Sequence, residues 1–229
     1  MTSAYTWLWF DADDTLFDYK RAEALALELT FQDAGLDFRP DFLPAYQRYN
    51  QELWRELELG TVTPVALRTL RFERLFAEFG LALPVGEFSA AYLKNLANSS
   101  VLIPGAETVV RTLAERYRIA VLTNGLKDVQ RSRLEKSAIW ACLSGLVISE
   151  EIGAAKPAPE YFEIALQQMG SPAKNAILMI GDNLNSDIRG ASRYGLDTCW
   201  YNPGWLPRPA DLPIHYEIHD LLALIPLLA

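Results

Sequence analysis

Four short stretches of this sequence carry residue types that could do chemistry. The first is Asp11-Ala12-Asp13-Asp14-Thr15-Leu16, which follows an apolar run directly. In an extended segment side chains alternate, so Asp11, Asp13 and Thr15 start toward one face and two carboxylates sit side by side. Asp and Thr are also common turn residues, and a solvated turn has the same composition. The second stretch is Leu122-Thr123-Asn124-Gly125. A hydroxyl at Thr123, with the N–H groups of the turn around Asn124, could hold phosphate oxygens, although a plain strand-to-helix turn explains the residues equally well. The third is Lys156-Pro157, where the proline could open a helix through Tyr161 to Met169 and the lysine could equally be a surface residue. The fourth is Ile180-Gly181-Asp182-Asn183-Leu184-Asn185-Ser186-Asp187. Gly181 permits close backbone approach, Asp182 is placed to bind a hard cation, and Ser186 or Asp187 could cap the helix that continues to Tyr194.

Such groups act together only if the fold brings them together. Tyr5 to Phe10 is a short apolar run that stops at Asp11, the pattern of a buried strand whose end delivers polar residues. From Lys20 to Asn98 the pattern is helical, with apolar residues at helical spacing over Ala22 to Ala34, Phe42 to Leu59, Val65 to Phe79 and Phe88 to Ala97. After Pro104-Gly105, short apolar strands return at Ile119 to Thr123, Leu146 to Ser149, Ile177 to Ile180 and Thr198 to Tyr201, alternating with helices. This predicts an α/β fold: a parallel sheet core from residues 1–17 and 100–229, with an all-helical segment, residues 18–99, inserted after the first strand. Three strands then end in Asp11, Thr123 and Asp182, where α/β sheets commonly carry function.

The 229 residues suffice for a full core, half of them are apolar and 22% are charged, which is the composition of a globular protein. A formal charge of −8 argues against nucleic acid as a partner. A small anionic substrate would need a local positive field from a metal ion, a lysine and helix N-termini. Cys142 and Cys199 are too few and too far apart for a zinc cluster or disulfide framework and read as buried thiols. No segment approaches the roughly eighteen apolar residues of a membrane span and no leader-like segment opens the chain, so a cytoplasmic protein is expected.

In this order and context the four stretches resemble the signature of the haloacid dehalogenase-like superfamily. The resemblance implies a Rossmann-like sheet with the strands ending at Asp11, Thr123 and Asp182 as neighbours, and a helical cap after the first strand. It implies a magnesium-dependent phosphatase in which Asp11 attacks the phosphoryl group and Asp13 protonates the leaving alkoxide, then takes a proton from water. It further implies Mg2+ held by Asp11, the backbone carbonyl of Asp13 and Asp182, with Asp187 orienting them. Lys156 would offset the charge on Asp11 while Thr123 and Asn124 hold the phosphate. Asp13 favours phosphoryl transfer over dehalogenation, because a halide leaving group needs no proton and the resembling dehalogenases lack this second acid.

Phe10 to Phe17 (FDADDTLF), Val147 to Pro157 (VISEEIGAAKP), Thr198 to Pro203 (TCWYNP) and Arg71-Phe72-Glu73 are similar to bacterial pyrimidine nucleoside 5′-monophosphate phosphatases, which implies dUMP, dTMP or UMP as substrate. The same core residues would serve a phosphoglycolate or sugar-phosphate phosphatase, and a phosphate-binding or partner-docking protein on this fold is the non-enzymatic alternative. Aromatic residues Tyr19, Phe42, Tyr46, Tyr49 and Trp54 fit a helical core better than base stacking. Arg71 reads as a solvated or ion-paired helix residue. The apolar run Leu221 to Leu228 reads as a packing segment, and the oligomeric state is open.

Overall fold

The computed structural model describes residues 5–229. These form two units, one running up to Tyr19 and resuming over Ser100–Ala229, the other spanning Lys20–Ser99. The first contains β1 (Trp7–Phe10), α5 (Ala106–Ala114), β2 (Arg118–Thr123), α6 (Lys127–Glu135), β3 (Leu143–Ile148), α7 (Ser149–Ile152), α8 (Pro159–Gln168), β4 (Ile177–Gly181), α9 (Gly190–Tyr194), β5 (Asp197–Tyr201), β6 (Tyr216–Ile218) and α10 (Leu224–Leu227). The second holds α1 (Tyr19–Asp33, whose first residue belongs to the other unit), α2 (Phe42–Glu58), α3 (Pro64–Phe79) and α4 (Val85–Ala97).

The six strands make one sheet in the order β3-β2-β1-β4-β5-β6, every pair parallel. Strand β1 lies between β2 and β4, with Phe10 level with Val121 on one side and Ile180 on the other. That register puts Asp11, Thr123 and Gly181-Asp182 at the same edge of the sheet, where the strand order reverses and α/β sheets form a crevice. All four residues of β1 and all five of β4 are buried, as expected where helices cover both sheet faces. One face packs Leu8, Phe10, Val121 and Ile180 against α5, and Leu221, Leu224 and Leu228 of the C-terminal run join this core. The other packs Trp9, Leu122 and Met179 against Tyr161, Phe162 and Ala165 of α8.

In the helical unit, Thr63 starts α3 by accepting the Ala66 N–H, with Pro64 pre-set for the first turn. The interior is aromatic. Phe42 stacks on Phe31 at 4.5 Å, and Phe72 meets Tyr92 at 5.2 Å and Phe88 at 5.1 Å. Phe42 and Tyr46 are therefore core residues, while Tyr49 and Trp54 are half-buried. Arg71, expected to be solvated or ion-paired, is 1% exposed and donates to Tyr46 Oη at 3.2 Å and Asn50 Oδ1 at 3.3 Å. Asn50 in turn donates to buried Glu23 at 2.9 Å. Helical periodicity puts Arg71 beside Phe72 in sequence, and nothing in that spacing reveals that polar partners wait inside.

Candidate active site

Asp11 is the first residue past β1, and its N–H still pairs with the Ile180 carbonyl at 2.9 Å, which anchors it to β4. The chain turns three residues further on. Asp14 adopts a left-handed conformation (φ 58°), its N–H returns to the Phe17 carbonyl, and the N–H groups of Leu16 and Phe17 both reach the Ala12 carbonyl. A tight turn from Asp14 thus replaces the end of the alternating segment expected from sequence, while Asp13 before it forms an isolated bridge with Phe17. The turn carries Thr15 to β4: its hydroxyl donates to Asp182 Oδ1 at 3.1 Å and accepts the Asp182 N–H at 3.0 Å. This reciprocal pair joins the first and fourth stretches.

Lys156 is 2% exposed, and all three hydrogens of its ammonium have partners. They are Asp11 Oδ1 at 2.6 Å, Asp187 Oδ1 at 2.7 Å and the Leu122 carbonyl at 2.7 Å. Its peptide is gripped by the Asn124 side chain, whose Nδ2 donates to the Lys156 carbonyl at 2.7 Å while Oδ1 accepts the Lys156 N–H at 2.9 Å. The surface-lysine alternative is thereby excluded. The Asn124 amide is thus committed to the lysine, and in the same loop the buried Oγ1 of Thr123 accepts the Gly125 N–H at 3.0 Å. Pro157 follows a cis peptide bond, and α8 begins two residues later at Pro159.

The loop after β4 is a π-helical turn over Leu184–Arg189. Its cap is Asn183, which accepts the N–H groups of Asn185 and Ser186, so neither Ser186 nor Asp187 caps this turn. Asp187 is fully buried. Its Oδ1 takes Lys156 Nζ and the Ser186 hydroxyl, and its Oδ2 takes the Asn183 N–H at 3.1 Å. Gly181 makes room for it: a Cβ at position 181 would lie 2.3 Å from Asp187 Oδ2. Trp200, from the TCWYNP segment, donates its indole N–H to the Asp182 carbonyl at 2.9 Å and so supports this loop from β5.

One oxygen from each of Asp11, Asp182 and Asp187 lies within 4.8 Å of the other two. Three carboxylates here face one ammonium, an excess of two negative charges in a buried place. The electrostatics register the imbalance. Burial, with the charges of Asp187 and Asp182, raises the Asp11 carboxyl well above the usual range against the pull of Lys156. Burial and the nearby Asp187 and Asp14 push Asp182 up to about 7. For Lys156, burial works against the charge, but Asp11 and Asp187 outweigh it and hold the ammonium above its ordinary value. A set of hard oxygen donors with two uncompensated charges fits a divalent cation of the magnesium type.

Asp13 departs from the rest. Its carboxylate is held by Arg133 Nη1 at 2.6 Å and by Gln130 Nε2, two side chains of α6 that sequence reasoning did not single out. Cys199 is buried as expected, and burial pushes its thiol up to about 12; Cys142, expected to be buried, is only partly so. No helix among the described residues is long and apolar enough to cross a membrane.

A Rossmann-like parallel sheet with an inserted helical unit, and with Asp11, Thr123, Lys156 and Asp182 at one edge, defines a class, and comparison with known proteins gives the same answer. Residues 6–195 match the haloacid dehalogenase-like hydrolases, and the chain belongs to that family. It is 35% identical to the HAD-hydrolase YfnB of Bacillus subtilis over 95% of this chain and 92% of that protein. A crystal structure of YfnB bound to magnesium superposes with a TM-score of 0.91, 34% identity and 98% coverage of both chains. Pyrimidine 5′-nucleotidase YjjG of Escherichia coli is 34% identical over 95% of each chain. Pyrimidine 5′-nucleotidase PynA of Streptococcus pneumoniae is 33% identical, covering 94% of this chain and 92% of its own.

Proposed function

We propose that this protein is a magnesium-dependent phosphomonoesterase that works through an aspartyl phosphate on Asp11, and that its substrates are pyrimidine nucleoside 5′-monophosphates in the cytoplasm. The observation that carries the chemistry is the meeting of Asp11 with Asp182, Asp187 and Lys156 at the strand ends. The substrate class is supported by the likeness to YjjG and PynA over nearly the whole chain.

A carboxylate approaching a phosphate dianion at 4 Å meets roughly 2 kcal/mol of repulsion in water and about 8 at an effective dielectric of 20. Magnesium, held by Asp11, Asp182 and the Asp13 carbonyl with Asp187 orienting them, would supply the positive charge that offsets this. Lys156 contributes a second positive charge and fixes one Asp11 oxygen, leaving the other to attack phosphorus. Thr123 and the N–H groups at Asn124 bind the phosphoryl oxygens. As the Asp11–phosphorus bond forms, the bond to the ester oxygen breaks and its electron pair leaves with that oxygen, which takes a proton from the Asp13 carboxyl. Water then attacks phosphorus and gives its proton to Asp13. The Asp11–phosphorus linkage breaks, returning the Asp11 carboxylate and inorganic phosphate. The helical unit serves as the cap that selects the substrate.

Phosphate release from dUMP, dTMP, UMP, phosphoglycolate and hexose phosphates, with magnesium and with chelator, tests the reading. Faster release from the nucleotides, lost with chelator, is expected. A lead for phosphoglycolate or a sugar phosphate would overturn the substrate class, and silence on the whole panel would favour a binding protein.

A further inference from the structure

The two α6 side chains on Asp13 have no part in the mechanism above. Gln130 and Arg133 stand three residues apart on one helical face, and are 1% and 0% exposed. Burying an amide and a guanidinium costs free energy that an apolar side chain of similar volume would not. Both reach across more than a hundred residues of sequence to the same carboxylate, one donor to each oxygen: Arg133 Nη1 to Oδ1 and Gln130 Nε2 to Oδ2. Arg133 is further fixed by its guanidinium lying 4.5 Å from the Phe17 ring centroid, on the turn that follows Asp13. The loop after β2 yields space for Gln130, since a Cβ on Gly125 would lie 2.2 Å from Gln130 Nε2.

We propose that Gln130 and Arg133 are positioning residues for Asp13, setting the direction from which it passes a proton to the departing ester oxygen and later accepts one from water. This rests on the reading of Asp13 as the general acid and base. Two donors arriving from one rigid helix determine the orientation of a carboxylate on a tight turn, and proton transfer depends steeply on that orientation. Release of one oxygen toward the substrate while the other stays held keeps the carboxyl aimed through both half-reactions.

The test compares two leaving groups in the full chain with magnesium. p-Nitrophenolate departs without protonation, whereas the 5′-alkoxide of dUMP needs it. Gln130→Met and Arg133→Lys are expected to lower kcat/KM for dUMP by about tenfold or more, a fraction of what an acid contributes, and to change kcat/KM for p-nitrophenyl phosphate little, since kcat/KM reports only the formation of the aspartyl phosphate. Asp13→Asn should show the same selectivity in kcat/KM more strongly while lowering kcat for both esters, because the proton from water in the second half-reaction is common to them; adding Gln130→Met to it should cost nothing further, since the glutamine acts through the aspartate. Equal losses of kcat/KM on both substrates, or additive losses in the double variant, would mean a merely structural role and overturn the proposal. If buried Arg133→Lys does not fold, the Gln130→Met cycle decides alone. Hydrolysis of neither ester by the unaltered protein would instead bring down the phosphatase reading, and this inference with it.

Discussion

Lys156 shows how much one side chain can hold together. Its three ammonium hydrogens end on Asp11, Asp187 and the Leu122 carbonyl, so removing it leaves buried carboxylates without a cation. Lys156→Met is expected to cost about 3–5 kcal/mol in urea denaturation of the metal-free protein, as when one partner of a buried ion pair is lost, and to abolish turnover. A cost below 1 kcal/mol would mean that the carboxylates are not relying on it. Asp11, Thr123, Lys156 and Asp182 were legible in the sequence because each sits at a strand end or beside a proline, where polar residues interrupt apolar ones. Gln130 and Arg133 were not. Five of the nine residues of α6 are charged, and in KDVQRSRLE the two buried polar side chains look no different from the solvated ones. What separates them is tertiary: both donate to Asp13, and the Arg133 guanidinium lies over the Phe17 ring.

At the scale of elements, the short loops after β1 and β4 do most of the aligning. The period-two expectation failed at Thr15 because Asp14 turns the chain, which sends Thr15 to Asp182 rather than onward along a strand. Strand β6 also went unread: three residues, Tyr216-Glu217-Ile218, are too few to show a pattern. The glycine ending β4 carries a specific consequence. Gly181→Ala places a methyl group 2.3 Å from Asp187 Oδ2, too close for both to stay, so the fully buried Asp187 carboxylate must shift. Magnesium affinity, measured by calorimetry, is expected to fall about 10- to 100-fold, the usual effect of displacing a group that orients metal ligands. Unchanged affinity would remove Asp187 from that role.

Across the whole molecule, the parallel sheet and the helical insertion followed from periodicity, because both faces of the sheet are covered and the helices of Lys20–Ser99 bury an aromatic interior. Phe72→Ala, which empties the centre of that interior, should destabilise the protein by about 3–5 kcal/mol while leaving the magnesium affinity of the strand-end cluster unchanged. A parallel loss of magnesium affinity would contradict that separation. The acidic cluster should also show in the pH dependence of stability. Asp182 holds its proton up to about 7 in the folded chain and releases it near 3.8 when unfolded. Between these values the unfolded state binds fewer protons, so this contribution is present below pH 4 and is lost as pH rises through about 7. In chelator, Tm should therefore fall from pH 5 to pH 8 more steeply in the unaltered protein than in Asp182→Asn, and magnesium should raise Tm more at pH 8 than at pH 5. Identical slopes would mean that Asp182 ionises normally.

The central claim is that Asp11 carries the phosphoryl group. Quenching the protein with acid during turnover of dUMP in magnesium, reducing it with borohydride and sequencing the peptides by mass spectrometry tests this directly. An acyl phosphate is reduced to the alcohol, so homoserine at position 11 is predicted in the turnover sample and not in one lacking substrate. Turnover with Asp11 recovered unmodified in every sample, or homoserine at Asp13 instead, would contradict the account.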